Sequence, residues 1–319
     1  MKIVGISFGR KNGRTDILVK EALFAAKAAG AEVECINTIG LEISHCRSCG
    51  YCNRCRDEKT EIHCCLKDDF HILEDAVMDA DGLIVGAPVY VVGPNGQFKN
   101  FVDRFNPHRD RSEMIEENKR RAAQGREPLE DKLFKDRYIG YISVGGAQTH
   151  NWVALGLPTL HLLSVSQCMK AVGHIDAFDQ GRTGSPLLDE ELMRQCAQLG
   201  STVAQSVGKP YDEVDAWVGR QGLCPVCPNS LLDFMDGVKV ECPTCGIRGT
   251  ASIEDGQLKV SWPASEPLRA RNTEAGVYEH YHEIRNMMVV CGPKLEAAKQ
   301  ELDEKMQKYL HFDEVIQSM

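Results

Sequence analysis

The sequence predicts a doubly wound α/β fold, in which helices cover both faces of a five-stranded parallel sheet, followed by a small β unit and C-terminal helices. Short apolar runs alternate with segments of helical periodicity from the start of the chain to about residue 207. This alternation is expected where crossover helices separate buried parallel strands. The predicted strands are Lys2–Ser7, Glu32–Asn37, Gly82–Gly86, Tyr138–Val144 and Cys168–Ile175.

The segments between these strands have the apolar stripe of helices that pack on a sheet. The stripes of the first and last segments are Leu18, Ala22, Ala25 and Ala29, and Leu188, Leu192, Cys196, Leu199 and Val203. One insertion, at residues 107–136, is dense in charges of both signs. It is predicted to be either a solvated helical excursion or a lid or dimer arm.

Composition divides the chain into four parts. Residues 1–207 form the predicted sheet domain, which includes a cysteine-rich loop at 45–65, and a turn-rich linker follows at 208–222. Residues 223–262 are rich in Cys, Pro and Gly, and helical spacing returns over 263–319 with a break at Cys291-Gly292-Pro293. We expect two terminal helices that pack on the β unit, on the sheet domain or on another subunit.

Charge and composition argue against several classes of partner. The chain has 319 residues and is 43% hydrophobic and 26% charged, as soluble globular proteins are. Its formal net charge of -9 argues against nucleic acid, which is bound mainly by clustered Lys and Arg. The chain has no long apolar run and begins without a signal-peptide pattern. We therefore expect a cytoplasmic protein that binds neither nucleic acid nor membrane.

The loop between the first strand and the first helix predicts an anion site. It reads Ser7-Phe8-Gly9-Arg10-Lys11-Asn12-Gly13-Arg14-Thr15. A helix N-terminus offers backbone N–H groups and a positive dipole end, and glycine and hydroxyl residues allow a phosphate to approach closely. The loop matches neither the dinucleotide glycine fingerprint nor the P-loop pattern. A plain tight turn is the alternative interpretation.

Two further loops, at 87–97 and 143–148, follow the third and fourth strands. Ligands of open α/β sheets bind outside the carboxyl ends of strands, so all three loops are expected to converge there. The segments Gly5–Thr15, Gly86-Ala87-Pro88-Val89-Tyr90 and Gly96-Gln97-Phe98-Lys99-Asn100-Phe101-Val102-Asp103-Arg104 resemble the NADPH-dependent FMN reductase family, which is flavodoxin-like. With the cysteine run between them, the chain is similar to the iron–sulfur flavoprotein branch of that family.

This resemblance implies that FMN binds at the converging loops. The implied phosphate contacts are Ser7, Arg10, Asn12, Arg14 and Thr15, and the implied isoalloxazine contacts are Pro88, Val89, Tyr90, Val91, Gly93, Gly145 and Gly146. The sequence departs from the family at Phe8-Gly9, where relatives commonly have Pro, and at Arg14, which replaces a small polar residue. Arg14 either strengthens phosphate binding or faces solvent. Tyr90 either stacks near the flavin or belongs to the core.

The cysteine-rich loop predicts a metal centre. Among 14 cysteines, Cys46, Cys49, Cys52 and Cys55 repeat C-x2-C, and Cys64-Cys65 precede Asp68-Asp69. Closely spaced thiols in a reducing compartment more often bind metal than form disulfides, and this spacing suits an iron–sulfur cluster. The resemblance implies that a [4Fe-4S] cluster is bound by Cys46, Cys49, Cys52 and Cys64, with Cys55 or Cys65 competing for the fourth position. The alternatives are bound zinc, or redox-active thiols without metal.

A second cysteine group predicts a zinc ribbon. Cys224 and Cys227 form one C-x2-C knuckle, and Cys242 and Cys245 form another. Four thiolates on two such knuckles suit tetrahedral, structural Zn2+. Iron, bound as in rubredoxin, is the alternative. The residues around the knuckles alternate as short strands do, with hairpin signals at 236–237 and 255–256.

Together these features predict an FMN-dependent oxidoreductase or electron-transfer flavoprotein. NAD(P)H or reduced ferredoxin would donate electrons, and a flavin can pass two electrons singly to a cluster. The acceptor would be a small molecule or a protein. The alternative is a non-enzymatic redox-sensing or interaction module that presents the ribbon. The resemblance also implies a homodimer or homotetramer. No catalytic residue is assigned, although His45 and His150 are candidates for tuning the flavin or delivering protons, or are ordinary histidines.

Overall fold

The computed structural model describes residues 1–58, 64–181 and 185–312. The strands are β1 (Lys2–Ser7), β2 (Glu32–Asn37), β3 (Gly82–Tyr90), β4 (Gly93–Pro94), β5 (Tyr138–Val144), β6 (Lys170–Ala177), β7 (Asp233–Asp236), β8 (Lys239–Glu241), β9 (Arg248–Glu254) and β10 (Gln257–Ser261). The α-helices are α1 (Arg14–Ala28), α2 (Tyr51–Glu58), α3 (Phe70–Asp79), α4 (Gly96–His108), α5 (Arg111–Ala123), α6 (Gly156–Leu160), α7 (Glu190–Ser206), α8 (Glu274–Ala297) and α9 (Lys299–Leu310).

The main sheet has the strand order β2-β1-β3-β5-β6, and all of these neighbours are parallel. The short strand β4 pairs antiparallel with the end of β3. The order confirms the predicted flavodoxin-like, doubly wound fold. The bounds of β1, β2 and β5 agree with the prediction, whereas β6 begins two residues later than predicted. Cys168 has a φ of 53°, so a turn rather than a strand occupies that position.

Both faces of the main sheet are covered by helices. One core includes Phe70, Phe98 and Phe101 from α3 and α4, and the other includes Leu18 from α1 and Leu199 from α7. Helices α1 and α7 approach very closely. A Cβ at Gly200 would lie 1.8 Å from the Ala22 carbonyl oxygen, so this position requires glycine.

The segment after α7 extends the sheet. The backbone N–H of His174 donates to the Val218 oxygen at 2.9 Å, and the N–H of Val218 donates to the Val172 oxygen at 3.1 Å. The predicted linker at 208–222 therefore lies in part along the free edge of β6.

The charged insertion at 107–136 is partly buried. It contains α5, in which Met114 joins the apolar core and Arg121 and Glu117 are buried. The Arg121 Nε lies 2.8 Å from the Glu117 carboxylate, and the Arg121 Nη1 donates to the Glu127 oxygen at 3.1 Å. These contacts offset the cost of burying the charges. The insertion is therefore not the fully solvated excursion that its composition suggested.

A second, antiparallel sheet has the order β10-β9-β8-β7. The turn between β9 and β10 has positive φ at both Asp255 and Gly256, the backbone that a tight hairpin turn favours. This sheet is the small β unit predicted for residues 223–262.

The chain forms two compact units, Met1–Val277 and Tyr278–Met319. Most of α8 and all of α9 belong to the second unit. The predicted break at Cys291-Gly292-Pro293 is wrong, because α8 continues to Ala297. Pro293 lacks the N–H that would bond to the Val289 carbonyl, but Val289 is exposed, so water can reach this region. Among the described helices, none combines the length and apolar composition needed to cross a membrane.

Candidate functional site

The loops after β1, β3 and β5 meet at the carboxyl edge of the main sheet, as predicted. The backbone N–H of Phe8 donates to the Gly86 oxygen at 2.9 Å, and the Asn95 side chain donates to the Phe8 oxygen at 3.0 Å. The N–H of Gly145 donates to the Ala177 oxygen at 2.9 Å. These bonds tie the loops to neighbouring strand ends, so the loops lie together at the edge where open α/β sheets bind ligands in a crevice.

The first loop has a compact, specifically bonded backbone. The N–H of Gly13 donates to the Arg10 oxygen at 2.8 Å, and Asn12 has a φ of 56°. Helix α1 follows without a side-chain cap, because its N-cap residue is Gly13. The N-terminus of α1 therefore offers backbone donors to an anion.

A buried carboxylate, Asp16, holds this loop in place. Its oxygens accept hydrogen bonds from the N–H of Asn12 at 2.8 Å and from the Asn37 side chain at 2.7 Å, and its partner Lys20 lies 2.7 Å away. Burial opposes ionisation, but the contacts with Lys20, Asn37 and Asn12 outweigh it and lower the pKa of Asp16. Lys20 balances the negative charge of Asp16. The carboxylate can therefore support the loop without repelling a bound anion.

The predicted phosphate contacts differ in exposure. Ser7 and Thr15 are buried, Arg14 is half-buried, and Arg10 and Asn12 are exposed. A Cβ at Gly9 would lie 2.6 Å from the Thr15 Cβ, so the loop folds tightly over Thr15. Phosphate binding by this set remains a prediction.

The end of β3 contains a strained two-residue turn. Tyr90 pairs with Gly93 across it, and the turn residues Val91 and Val92 have φ values of 50° and 72°. β-Branched residues rarely adopt this left-handed conformation, and such strain is concentrated at functional sites. Val91 is 97% exposed and Tyr90 is 60% exposed. Tyr90 is therefore not a core residue, and its stacking near the flavin stays a prediction.

The remaining predicted ring contacts lie on both sides of the crevice. Pro88, Val89 and Gly93 are half-buried, Gly145 is buried and Gly146 is exposed. A Cβ at Gly145 would lie 2.1 Å from a Val153 methyl group. Only glycine therefore fits at position 145, where the loop folds back and brings Val153 against it.

Several buried oxygen atoms at this edge make no hydrogen bond within the described ranges. They are Asn95 Oδ1, Ser143 Oγ, Asp176 Oδ1 and Gln180 Oε1. Buried polar atoms are normally paired, so these atoms fit a crevice that receives a polar ligand. A planar, heteroatom-rich group such as the FMN ring has the chemistry to use them.

The structure adds two contacts that sequence reasoning did not identify. The His150 Nε2 lies 3.1 Å from Asp176 Oδ2, and the His150 ring meets the Phe178 ring edge-on at 6.3 Å between centroids. The sequence feature that could have identified Asp176 is its position, because it is a carboxylate near the carboxyl end of an apolar strand. Trp152 follows His150 in the loop and is exposed.

The cysteine-rich loop is attached to the sheet domain by one face of α4. Gln97 Nε2 donates to the Thr38 and Leu41 oxygens at 2.9 and 3.1 Å, and Asn100 Nδ2 donates to the Ile43 oxygen at 2.9 Å. Arg104 completes this helical face.

Arg104 and Asp68 form a buried ion pair that closes the base of this loop. Arg104 donates to both Asp68 oxygens, at 2.7 and 2.9 Å, and its Nη1 also donates to the Ser44 oxygen at 3.2 Å. Asp68 in turn accepts the N–H of Ser44 at 2.9 Å. Burial opposes ionisation, but these bonds outweigh it and lower the pKa of Asp68.

The structure does not gather the predicted cluster ligands. Within the described residues, no three of Cys46, Cys49, Cys52 and Cys64 bring their Sγ atoms within 4.8 Å of one another. The close pair is Cys49 and Cys65, whose Sγ atoms are 3.5 Å apart. Cys55 is buried in α2. Residues 59–63 of the loop lie outside the described residues, and the ligand set remains a prediction.

The ribbon cysteines, in contrast, form a closed four-sulfur site. Cys224, Cys227, Cys242 and Cys245 are all buried and have their Sγ atoms within 4.8 Å of one another. The Cys224–Cys245 and Cys227–Cys242 sulfur distances are 3.3 and 3.4 Å. A tetrahedral zinc site with Zn–S bonds of about 2.3 Å requires sulfurs about 3.8 Å apart, so this arrangement fits zinc.

Main-chain bonds shape both knuckles of the ribbon. The N–H of Cys224 donates to the Asn229 oxygen at 3.0 Å, and the N–H of Gly246 donates to the Cys242 oxygen at 2.8 Å. The Trp262 indole donates to the Leu223 oxygen at 3.0 Å. The four sulfurs are thus held by the fold of the small sheet.

Comparison with known proteins identifies the family. Residues 1–157 match the family model described as NADPH-dependent FMN reductase. An iron–sulfur flavoprotein of Methanocaldococcus jannaschii is 35% identical over 173 residues, which cover 54% of this chain and 75% of the relative. The chain belongs to the iron–sulfur flavoprotein branch of the NADPH-dependent FMN reductase family. As a member of this family, it is classed with FMN-dependent oxidoreductases.

Two further relatives resemble the chain over most of its length. The flavone synthase cfoJ of Aspergillus candidus is 29% identical over 265 residues, 81% of each chain. The solved structure of a flavone reductase is 27% identical, covers 97% of each chain and has a TM-score of 0.79. The similarity of this family member to the flavone reductase therefore extends over the ribbon as well as the main sheet.

Proposed function

We propose that the protein is an FMN-dependent oxidoreductase that uses NAD(P)H to reduce a planar, conjugated small molecule of the flavone class. The similarity to a flavone reductase over 97% of both chains, with a TM-score of 0.79, carries this proposal. The match to the iron–sulfur flavoprotein covers 54% of this chain and does not include the rest.

The crevice supports FMN as the cofactor. The N-terminus of α1 and the loop residues Ser7, Arg10, Asn12, Arg14 and Thr15 would hold the phosphate. The turn from Pro88 to Gly93, with Gly145 and Gly146 opposite, would hold the ring. Bound FMN would supply hydride transfer.

The rim of the crevice supports a planar acceptor. Tyr90, Trp152 and Phe178 are exposed aromatic residues on three loops of this edge, and the apolar side chains of Val91 and Leu155 are also exposed. Aromatic side chains stack on planar rings and bury large apolar areas, so this rim suits a polycyclic substrate.

The proposed reaction is balanced. One NAD(P)H and one proton reduce one carbon–carbon double bond conjugated to a carbonyl, and the products are NAD(P)+ and the saturated ketone. The hydride supplies both electrons, so this reaction requires no one-electron carrier.

Anaerobic stopped-flow absorbance tests this proposal with the purified full chain loaded with FMN. NAD(P)H should bleach the flavin, and flavone should then restore its absorbance with formation of flavanone. We expect Trp152→Ala to slow the flavone step, whereas Phe24→Ala, which alters an exposed aromatic on α1, should leave it unchanged. A flavin that is never reoxidised by flavone would contradict the proposal.

A second candidate is an electron relay from NAD(P)H or ferredoxin through FMN and a [4Fe-4S] cluster to a small-molecule or protein acceptor. The C-x2-C spacing and the 35% identity to an iron–sulfur flavoprotein favour it. Iron and sulfide analysis after anaerobic purification separates the two candidates. Flavone reduction by cluster-free Cys46→Ser protein would make the relay unnecessary for turnover.

We further propose that the ribbon binds Zn2+ as a structural element, since its four buried thiols leave no open coordination position. A homodimer or homotetramer, implied by the family resemblance, is part of the same proposal. Light scattering of the holoprotein measures the oligomeric state.

A further inference from the structure

We propose that His150, positioned by Asp176, donates the proton that accompanies hydride addition to the acceptor. This inference rests on the proposed function, since it concerns the same crevice. It assigns a catalytic residue to the proposed site.

The His150–Asp176 pair lies at the carboxyl edge of the sheet, between two strand ends. Asp176 is near the end of β6, next in register to Ser143 of β5. His150 belongs to the loop that leaves Gly145 and Gly146, the predicted ring contacts, and its Nε2 lies 3.1 Å from Asp176 Oδ2.

The loop that carries His150 is fixed at several points. The N–H of Val153 donates to the His150 oxygen at 2.9 Å, and the N–H of Gln180 donates to the Gly145 oxygen at 2.9 Å. The Phe178 ring packs against the imidazole edge. These bonds hold the backbone of the loop and place the half-exposed imidazole beside Phe178 and Asp176.

Burial and charge distinguish this pair from an ordinary surface ion pair. The Asp176 side chain is 18% exposed and that of His150 is 51% exposed. The second carboxylate oxygen, Oδ1, is buried and has no hydrogen-bond partner within the described part of the chain. A buried oxygen of this kind is costly unless a ligand or water satisfies it.

The charged groups that face Asp176 are His150 and Arg220. Burial raises the pKa of Asp176, and the charges of these two partners oppose that rise. The carboxylate is thus stabilised when the imidazole carries a proton. His150 Nε2 faces Asp176, and the half-exposed imidazole can exchange a proton with solvent.

The proton transfer completes the proposed reaction. Hydride addition to the β-carbon of the conjugated double bond moves an electron pair onto the carbonyl and gives an enolate. His150 then gives its proton to the α-carbon, and the C–H bond forms as the N–H bond breaks. Solvent returns a proton to the half-exposed imidazole, so the net reaction consumes one NAD(P)H and one H+.

His150→Gln tests this role by separating the two half-reactions in FMN-loaded protein. Bleaching of the flavin by NAD(P)H should be unchanged, whereas reoxidation by flavone should slow by about 100-fold or more, the usual contribution of a general acid. Reoxidation by ferricyanide, which accepts electrons without a proton, should be unchanged. His280→Gln is the matched control, because His280 is another exposed histidine beside a carboxylate, Glu283.

Asp176→Asn tests the positioning role. Loss of the carboxylate should slow the flavone step and change its pH profile, while ferricyanide reoxidation keeps the wild-type rate and pH profile. Equal slowing of flavone and ferricyanide reoxidation in His150→Gln would overturn the proposal, as would an unchanged flavone rate. Wild-type protein that bleaches but never reacts with flavone would instead overturn the proposed function, and this inference with it.

Discussion

At the scale of single residues, the most unusual feature is the Val91-Val92 turn. Left-handed backbone costs an L-residue about 1–2 kcal/mol, and β-branching makes it less tolerable still. Asn or Gly would normally occupy both positions of such a turn. Valine favours extended backbone, so the loop predicted at 87–97 carried no signal of a turn at these two positions. The backbone is held by the β3–β4 pairing and by the N–H of Leu155, which donates to the Val92 oxygen at 3.2 Å.

Replacing Val91 by Asn should relieve this strain. Asn tolerates the left-handed region, and the exposed valine side chain contributes little packing, so we expect the free energy of unfolding to rise by about 1 kcal/mol. Urea unfolding measures the change. If the valine pair also shapes the flavin site, FMN affinity will fall while stability rises.

Val238→Asn is the matched control for this substitution. Val238 is also an exposed valine, but its φ is not positive. The same change there should leave stability unaltered or lower it slightly. An equal gain at both positions would mean that surface polarity, and not backbone strain, accounts for the effect.

At the scale of elements, strands β1, β2 and β5 were predicted with their observed bounds. Strands β1 and β5 are buried apolar runs between two helical layers, whereas β2 is a largely exposed edge strand. Helix α4 shows the limit of this reasoning. Its polar face contacts residues 38–44 through Gln97, Asn100 and Arg104, and the sequence does not predict such contacts because they depend on tertiary structure.

The ribbon gives the prediction that belongs to this scale. Cys242→Ser should abolish stoichiometric zinc binding and lower the melting temperature of the holoprotein, because a site of this kind couples metal binding to folding. Elemental analysis and calorimetry measure the two effects. Cys35→Ser, which alters an exposed cysteine of β2, should change neither. Full zinc content in Cys242→Ser would contradict the assignment of a four-cysteine zinc site. Iron in place of zinc in the wild-type protein would favour the rubredoxin-like alternative.

At the scale of the whole molecule, the sequence predicted where the loops converge but not which side chains meet. The order of parallel strands alone brings the ends of β1, β3 and β5 to one edge. The contact of His150 with Asp176 also requires the return path of a loop over Gly145. The cysteine-rich loop shows the converse. Its spacing predicts a four-cysteine centre, whereas no three of the predicted ligands come together within the described residues, and Cys49 pairs with Cys65.

Two buried histidines make the stability of the whole fold depend on pH. His174 Nε2 donates to the Arg220 oxygen at 2.9 Å, so the Nδ1 of the neutral His174 ring accepts from His161 Nε2 at 3.1 Å. Burial lowers the pKa of His174 to about 4 and places that of His161 well below its usual value. Between pH 6.5 and 4 the unfolded chain therefore binds protons that the folded chain does not, and stability falls as pH falls.

We expect the free energy of unfolding to be about 2 kcal/mol lower at pH 5 than at pH 7 from His174 alone. The lowered pKa values of Asp16, Asp68 and Glu74 act in a different window, since the stability that they contribute is lost only below the ordinary carboxylate range near pH 4. The raised pKa of Asp176 opposes the histidine effect. Urea unfolding of the zinc-loaded protein at both pH values measures the difference.

His174→Gln separates this effect from the others, because the amide can still donate to the Arg220 oxygen but does not titrate. The variant should lose stability at pH 7 yet show a smaller difference between pH 7 and pH 5 than the wild type. Zinc content measured in the same samples distinguishes proton uptake by His174 from loss of metal at the ribbon. An undiminished pH difference at full zinc occupancy would mean that groups other than the buried histidine pair control the acid sensitivity of the fold.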